Sequence, residues 1–154
     1  MHPDRTYGEE SPVVQAHLGI MQSVIQRMAA NSAASKGWCI ALVSAILVIV
    51  ADKGRPAFAL IAAIPTILFL FLDGYYLALE RTFRDSYNAF IRKLHEGGVS
   101  AIDLYAVTPV RTSGNQFCRS LGSFSIWPFY AALGLMILVT MQLIIPAGAP
   151  ATAP

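Results

Sequence analysis

Apolar positions gather into three long runs separated by short polar stretches, and outside the runs they recur at helical spacing. The first run, at about 33–51, ends at Asp52, Lys53, Gly54, Arg55 and Pro56, a polar turn. A helix there would reach roughly 28 Å, close to the ~30 Å hydrocarbon thickness of a bilayer. The second run, at about 57–77, contains Pro65, which predicts a kink near 62–66 because proline lacks a donor and crowds the preceding turn. Asp73, Tyr75 and Tyr76 mark its far edge, where amphipathic rings favour the membrane interface. The third run, 126–145, has no charge; Trp127 and Pro128 open it and Pro146 is expected to end it.

Two amphipathic stretches flank the first pair of runs. Val14, Leu18, Met21, Ile25 and Met28 are spaced four, three, four and three residues apart, a heptad-like seam. Leu79, Phe83, Tyr87, Phe90 and Leu94 are spaced four, four, three and four. The opposite face of this second stretch is polar, with Glu80–Arg84 and Arg92–Glu96 placed as i,i+4 pairs, and Gly97-Gly98 should stop it. If each stretch continues its run, the tight turn makes the two helices antiparallel and residues whose numbers sum to about 108 face one another. Val14 then meets Leu94, Leu18 meets Phe90, Met21 meets Tyr87, Ile25 meets Phe83, and Lys36 falls opposite Asp73.

The expected fold is therefore an all-α membrane protein: a long antiparallel helical hairpin followed by a third transmembrane helix. Residues 1–12 are expected to be disordered. The hairpin occupies 13–96, with a cytoplasmic stalk at 13–32 and 78–96. A cytoplasmic loop at 97–125 holds a short helix near 101–106, begun by the weak capping box Ser100/Asp103, while Pro109, Gly114 and Gly122 break anything longer. The tail, 146–154, is expected to be disordered.

Composition fits this reading. The 154-residue chain is 55% hydrophobic and 13% charged, well below the charge of an ordinary soluble domain. Nine Lys and Arg residues lie before the first run, at its start (Lys36) or between the second and third, against Lys53 and Arg55 in the turn. The positive-inside rule then places the N-terminus and the 73–125 segment in the cytoplasm, with the 52–56 turn and the C-terminus outside. The first long apolar stretch begins only at Gly37, so no cleaved signal is expected. A net charge of +2 without a basic run gives no footprint for nucleic acid. Cys39 and Cys118 make no disulfide framework, and no spacing indicates a metal.

Candidate chemistry is sparse. Asp73 has two readings: a pore-lining or gating charge, or a salt bridge to Lys36 or interfacial anchor, the second being preferred. Together with Lys36, Tyr75 and Tyr76 it forms the candidate pore or interface set. Arg84, Asn88 and Arg92 share the polar face of the stalk and form a candidate docking surface. Arg92 and His95 are too close in sequence for the Arg–His spacing of helical nucleases, and a cation at a helix C-terminus is explained by the dipole. His17 is read as stalk packing. Ala33, Ala34, Ala41, Ala45 and their serine neighbours are small enough for close helix approach, within the hairpin or between subunits. Thr66, Thr140 and Gln142 are too few for a coupled transporter. No catalytic constellation appears, so no enzyme activity and no cofactor are expected.

The segment from Met21 to Ser32, then Lys36-Gly37-Trp38, then Phe71-Leu72-Asp73-Gly74-Tyr75-Tyr76-Leu77-Ala78-Leu79-Glu80-Arg81-Thr82-Phe83-Arg84, resembles a family of small uncharacterised bacterial multi-span helical membrane proteins. The architecture is similar to that of the accessory membrane pore protein of type VI-B CRISPR anti-phage systems. That likeness implies an oligomeric pore or membrane-perturbing effector in anti-phage defence. The alternative from the residues is a non-conducting anchor whose stalk recruits a cytoplasmic protein. The expected partners are the lipid bilayer, further copies of the chain and such a protein.

Overall fold

The computed structural model describes residues 7–107 and 114–147, with side chains through 143. The elements are α1 (Pro12–Lys53), a 3-10 helix (Pro56–Ala62), α2 (Ala63–His95), α3 (Ala101–Tyr105), α4 (Gly114–Leu121) and α5 (Trp127–Ala147). Among the described residues the chain is all-helical. Two stretches, Pro12–Lys53 and Pro56–His95, are long and apolar enough to cross a membrane; α5 is a shorter apolar helix.

The amphipathic stretch and the first apolar run form one unbroken helix, α1, with Pro12 in its first turn where no donor is needed. It stops at Gly54, whose φ of 61° is left-handed and whose N–H bonds the Ala51 carbonyl. Around Pro65 the chain changes helix type instead of simply bending. The 3-10 helix runs to Ala62, and the α form begins at Ala63. Pro65 has no N–H to offer, and the Thr66 hydroxyl donates to the Ala62 carbonyl at 2.7 Å. A 3-10 helix rises ~2.0 Å per residue, so residues 56–72 cover roughly 29 Å, enough for a bilayer core.

Contacts between α1 and α2 run in opposite residue order. His17 stacks on Phe90 at 4.6 Å between ring centroids, Gln22 donates to the Tyr87 hydroxyl at 3.2 Å, and Lys36 reaches Asp73 at 2.6 Å. These pairs each sum to within one of 108. Two apolar cores result. One joins Cys39, Val43 and Leu47 of α1 to Ala59 and Ala62 of the 3-10 helix and to Tyr130, Leu133 and Ile137 of α5. The other joins Val14 and Met21 to Phe90, Leu94, Val99 and Leu104.

Several sequence expectations change here. On α2 the buried positions are Asp73, Gly74, Ala78, Thr82, Ser86, Phe90 and Leu94, whereas Leu79, Phe83 and Tyr87 are only half-buried. The reason is a third neighbour: α4 also lies on α2, and small side chains occupy the narrow strip it shares with α1. Helix α4 itself replaces the irregular return expected at 114–121. Within the 1–12 stretch, Tyr7 meets the 98–107 segment, its N–H on the Val99 carbonyl at 3.4 Å. Arg92–Glu96 forms no ion pair, since α2 ends at His95 and Glu96 lies in the cap. Helix α5 carries Pro146 in its last turn instead of stopping at Ile145, where the missing donor removes one bond at an end already short of them. Residues 1–6, Pro109, Arg111 and 148–154 lie outside the described residues.

The predicted capping box at Ser100 and Asp103 is present, and Lys93 of α2 reaches both Asp103 carboxylate oxygens at 2.7 Å. The Lys93 ammonium, opposed by partial burial and helped by the Ser100 bonds, holds the Asp103 carboxyl below its ordinary 3.8. The folded form thus gains stability that is complete above that value and is lost as pH falls through the lower folded-state pKa. Protease protection of 98–107 should hold down to about pH 4, then fail below it. Asp103→Asn should remove the acid step.

Candidate functional site

At the end of the apolar stretch of α2, Asp73 is fully buried against α1. One carboxylate oxygen meets the Lys36 ammonium at 2.6 Å, and the other accepts the Ser32 hydroxyl. Lys36 keeps 22% of its side chain exposed, so the pair has one wet end. Ser32 and Lys36 are one turn apart on α1, which brings both donors to the same carboxylate. The Tyr130 phenol of α5 lies beside this carboxylate and donates to the Phe69 carbonyl at 2.9 Å. The cluster therefore joins three helices at one level, which suits a charge buried with its donors.

Gly74, the next residue, lets α4 approach. A Cβ there would stand 2.5 Å from Leu121 Cδ2 and 3.1 Å from its Cγ. Phe117, one turn before Leu121, stacks on Phe71 with centroids 6.5 Å apart. Polar side chains continue the contact further along α2: the Thr82 hydroxyl lies 3.2 Å from the Gln116 amide oxygen, and Arg81 donates to Ser123 at 2.8 Å. The sequence pattern places Arg81 only on the polar face of the stalk and gives Gly74 no role. Only the packing of α4 gives them a role.

The other candidates separate into distinct places. Tyr75 is exposed and Tyr76 half-exposed; their rings are 5.8 Å apart, and they do not join the Asp73 cluster. Arg84, Asn88 and Arg92 are all exposed on one face of α2, and Arg84 is held by Glu80 at 2.8 Å. His17 is buried, with Nδ1 at 3.0 Å from the Leu104 carbonyl. His95 and Glu9 are both exposed and stand 3.6 Å apart. Cys39 is buried and Cys118 exposed. Among the described residues no group of three His, Cys, Asp or Glu is placed to hold a metal ion.

The Asp73 cluster and the α4 contacts hold α1, α2, α4 and α5 together. No protein family, curated protein or solved structure matches the chain.

Proposed function

We propose that this chain is a multi-pass protein of a bacterial inner membrane, and that several copies assemble into a pore or membrane-perturbing unit. In this reading α1 and the 3-10 helix with α2 form a transmembrane hairpin, α5 is a third span, and the stalk and the 97–125 segment face the cytoplasm. One observation carries the oligomer: an uncovered face of small residues on α1. Ala30, Ala34, Gly37, Ala41 and Ala45 recur every three or four residues and all are exposed. A Cβ on Gly37 would meet nothing within 4 Å. The buried face of α1 lies elsewhere, at Ser35, Cys39, Val43 and Leu47. In lipid, helices associate through such faces because small side chains let backbones approach.

A conducting path requires more than one copy. The hydroxyls of Thr66 and Thr140 are spent on their own helix backbones, at 2.7 and 2.8 Å, and Asp73 is sealed inside the protomer. A closed ring of copies is the ordinary solution. The assignment to anti-phage defence, and to a role without catalysis, rests on the sequence resemblance and on the inert geometry.

The decisive experiment pairs the mass of the purified protein in detergent with release of a trapped dye from liposomes. A multimer that releases dye supports the pore. A monomer in sealed liposomes overturns it and leaves the second reading, an anchor that recruits a cytoplasmic protein. The exposed Arg84, Asn88 and Arg92 face is the observation that favours that alternative.

A further inference from the structure

A polar cleft of about 500 Å³ lies between α2 and the α4–α5 connection, lined by Arg81, Asp85, Gln116, Arg119, Gly122 and Ser123. Its charges are unevenly matched. The Arg81 guanidinium is half-buried and donates only to neutral hydroxyls, Ser123 at 2.8 Å and Ser120 at 3.5 Å. Among the described residues no carboxylate lies within ion-pair distance of Arg81 or Arg119. Asp85, one turn beyond Arg81, lines the same cleft without pairing to either. Two guanidinium groups facing one carboxylate leave a net positive cleft, and a part-buried cation without a counter-charge favours an anion.

The cleft also sits at a particular depth. Helix side chains tilt toward the helix N-terminus, and α2 begins in its apolar half, so Arg81 leans back toward the apolar residues. Ser123 is followed by Phe124 and Trp127, which are 88% and 56% exposed. An exposed tryptophan ring favours the headgroup level of a bilayer, and Phe124, three residues before it, adds exposed apolar surface.

We infer that this cleft binds the phosphate of an anionic phospholipid, with Arg81 and Arg119 as its charged donors and Ser123 and Gln116 beside them. Arginine suits the site because its planar fork can grip two phosphate oxygens at once. The shared chemistry is a phosphate monoanion or diester; the aromatic rim assigns it to lipid instead of free phosphate. The inference rests on the membrane reading above.

The test uses the full chain in detergent, with thermal unfolding followed against added phosphatidylglycerol, phosphatidylcholine or inorganic phosphate. Phosphatidylglycerol should raise the midpoint saturably and phosphatidylcholine should not. Loss of one charge-assisted contact should weaken that binding about tenfold in Arg81→Gln and in Arg119→Gln. Arg119 is exposed and in no ion pair among the described residues, so its variant remains informative if Arg81→Gln folds poorly. Arg84→Gln, outside the cleft and paired to Glu80, should bind as the parent does. Equal affinity in the parent and both cleft variants overturns the site, as does an equal loss in Arg84→Gln. An equal effect of inorganic phosphate overturns the lipid as its occupant. A carbonate wash of phosphatidylcholine vesicles checks the underlying reading separately: protein stripped by the wash refutes membrane insertion, whatever the binding arms show.

Discussion

Lys36→Met is expected to destabilise the protein by about 3 kcal/mol or more, because it strands a carboxylate that has no access to water. Asp73 is fully buried, so loss of its cation leaves the carboxylate with the Ser32 hydroxyl and the neutral Tyr130 phenol and no counter-charge. Asp73→Leu should cost less, since the Lys36 side chain is 22% exposed and its ammonium can turn toward solvent. The double variant Lys36→Met with Asp73→Leu should recover most of the loss, because replacing a buried pair by apolar groups of similar size is often close to neutral. Unfolding midpoints of the four proteins in one detergent form the required double-mutant cycle. Additive losses would mean that the pair does not couple α1 to α2.

Gly37→Leu and Ala41→Leu should break the assembly while leaving the protomer folded. Both positions are exposed on α1, away from α2 and α5, and Gly37 has open space where a side chain would project. A bulky side chain forced into a tight helix contact costs about 1–3 kcal/mol, or roughly fivefold to 150-fold in association at each interface. Masses in detergent should fall toward the monomer, and dye release should fall with them. Leu42→Ala, on a neighbouring exposed position, controls for loss of surface apolarity. An unchanged mass in both glycine and alanine variants would show that copies do not meet through this face.

These two experiments probe features of different legibility. The facing of Lys36 and Asp73 follows from residue spacing alone. The α-helix rise per residue is constant, the 3-10 stretch departs from it by only about 3–4 Å in all, and the turn between the apolar runs is a few residues long, so little freedom is left in which residues oppose one another. The same constraint brings His17, Gln22, Tyr87 and Phe90 into one stretch of contact. Pro65 marks the right place for a disturbance, but its form, a change from 3-10 to α helix between Ala62 and Ala63, shows only in the folded chain.

The division of α2 into faces is not legible in the same way. Leu79, Phe83 and Tyr87 look like a seam because large apolar residues at helical spacing usually are one. Yet Gly74, Ala78, Thr82 and Ser86 are buried more deeply. Spacing counts hydrophobic side chains and cannot report how many neighbours crowd onto one strip of a helix.

The sequence by itself determined the apolar runs, their lengths, the turn that joins the first two and hence the opposition of α1 and α2. Each of these is a local or near-local property: hydrophobic burial per residue, helix geometry, and a glycine where the backbone turns left-handed. Only the tertiary structure decided where α4 lies, that a Cβ at Gly74 would press on the Leu121 side chain, and that Arg81 and Arg119 line one cleft with Asp85 and form no ion pair there among the described residues. An eight-residue helix with a polar face has too few internal bonds to be stable alone. It forms where Phe117 and Leu121 find α2, and that meeting place belongs to the folded chain, not to the spacing of its residues.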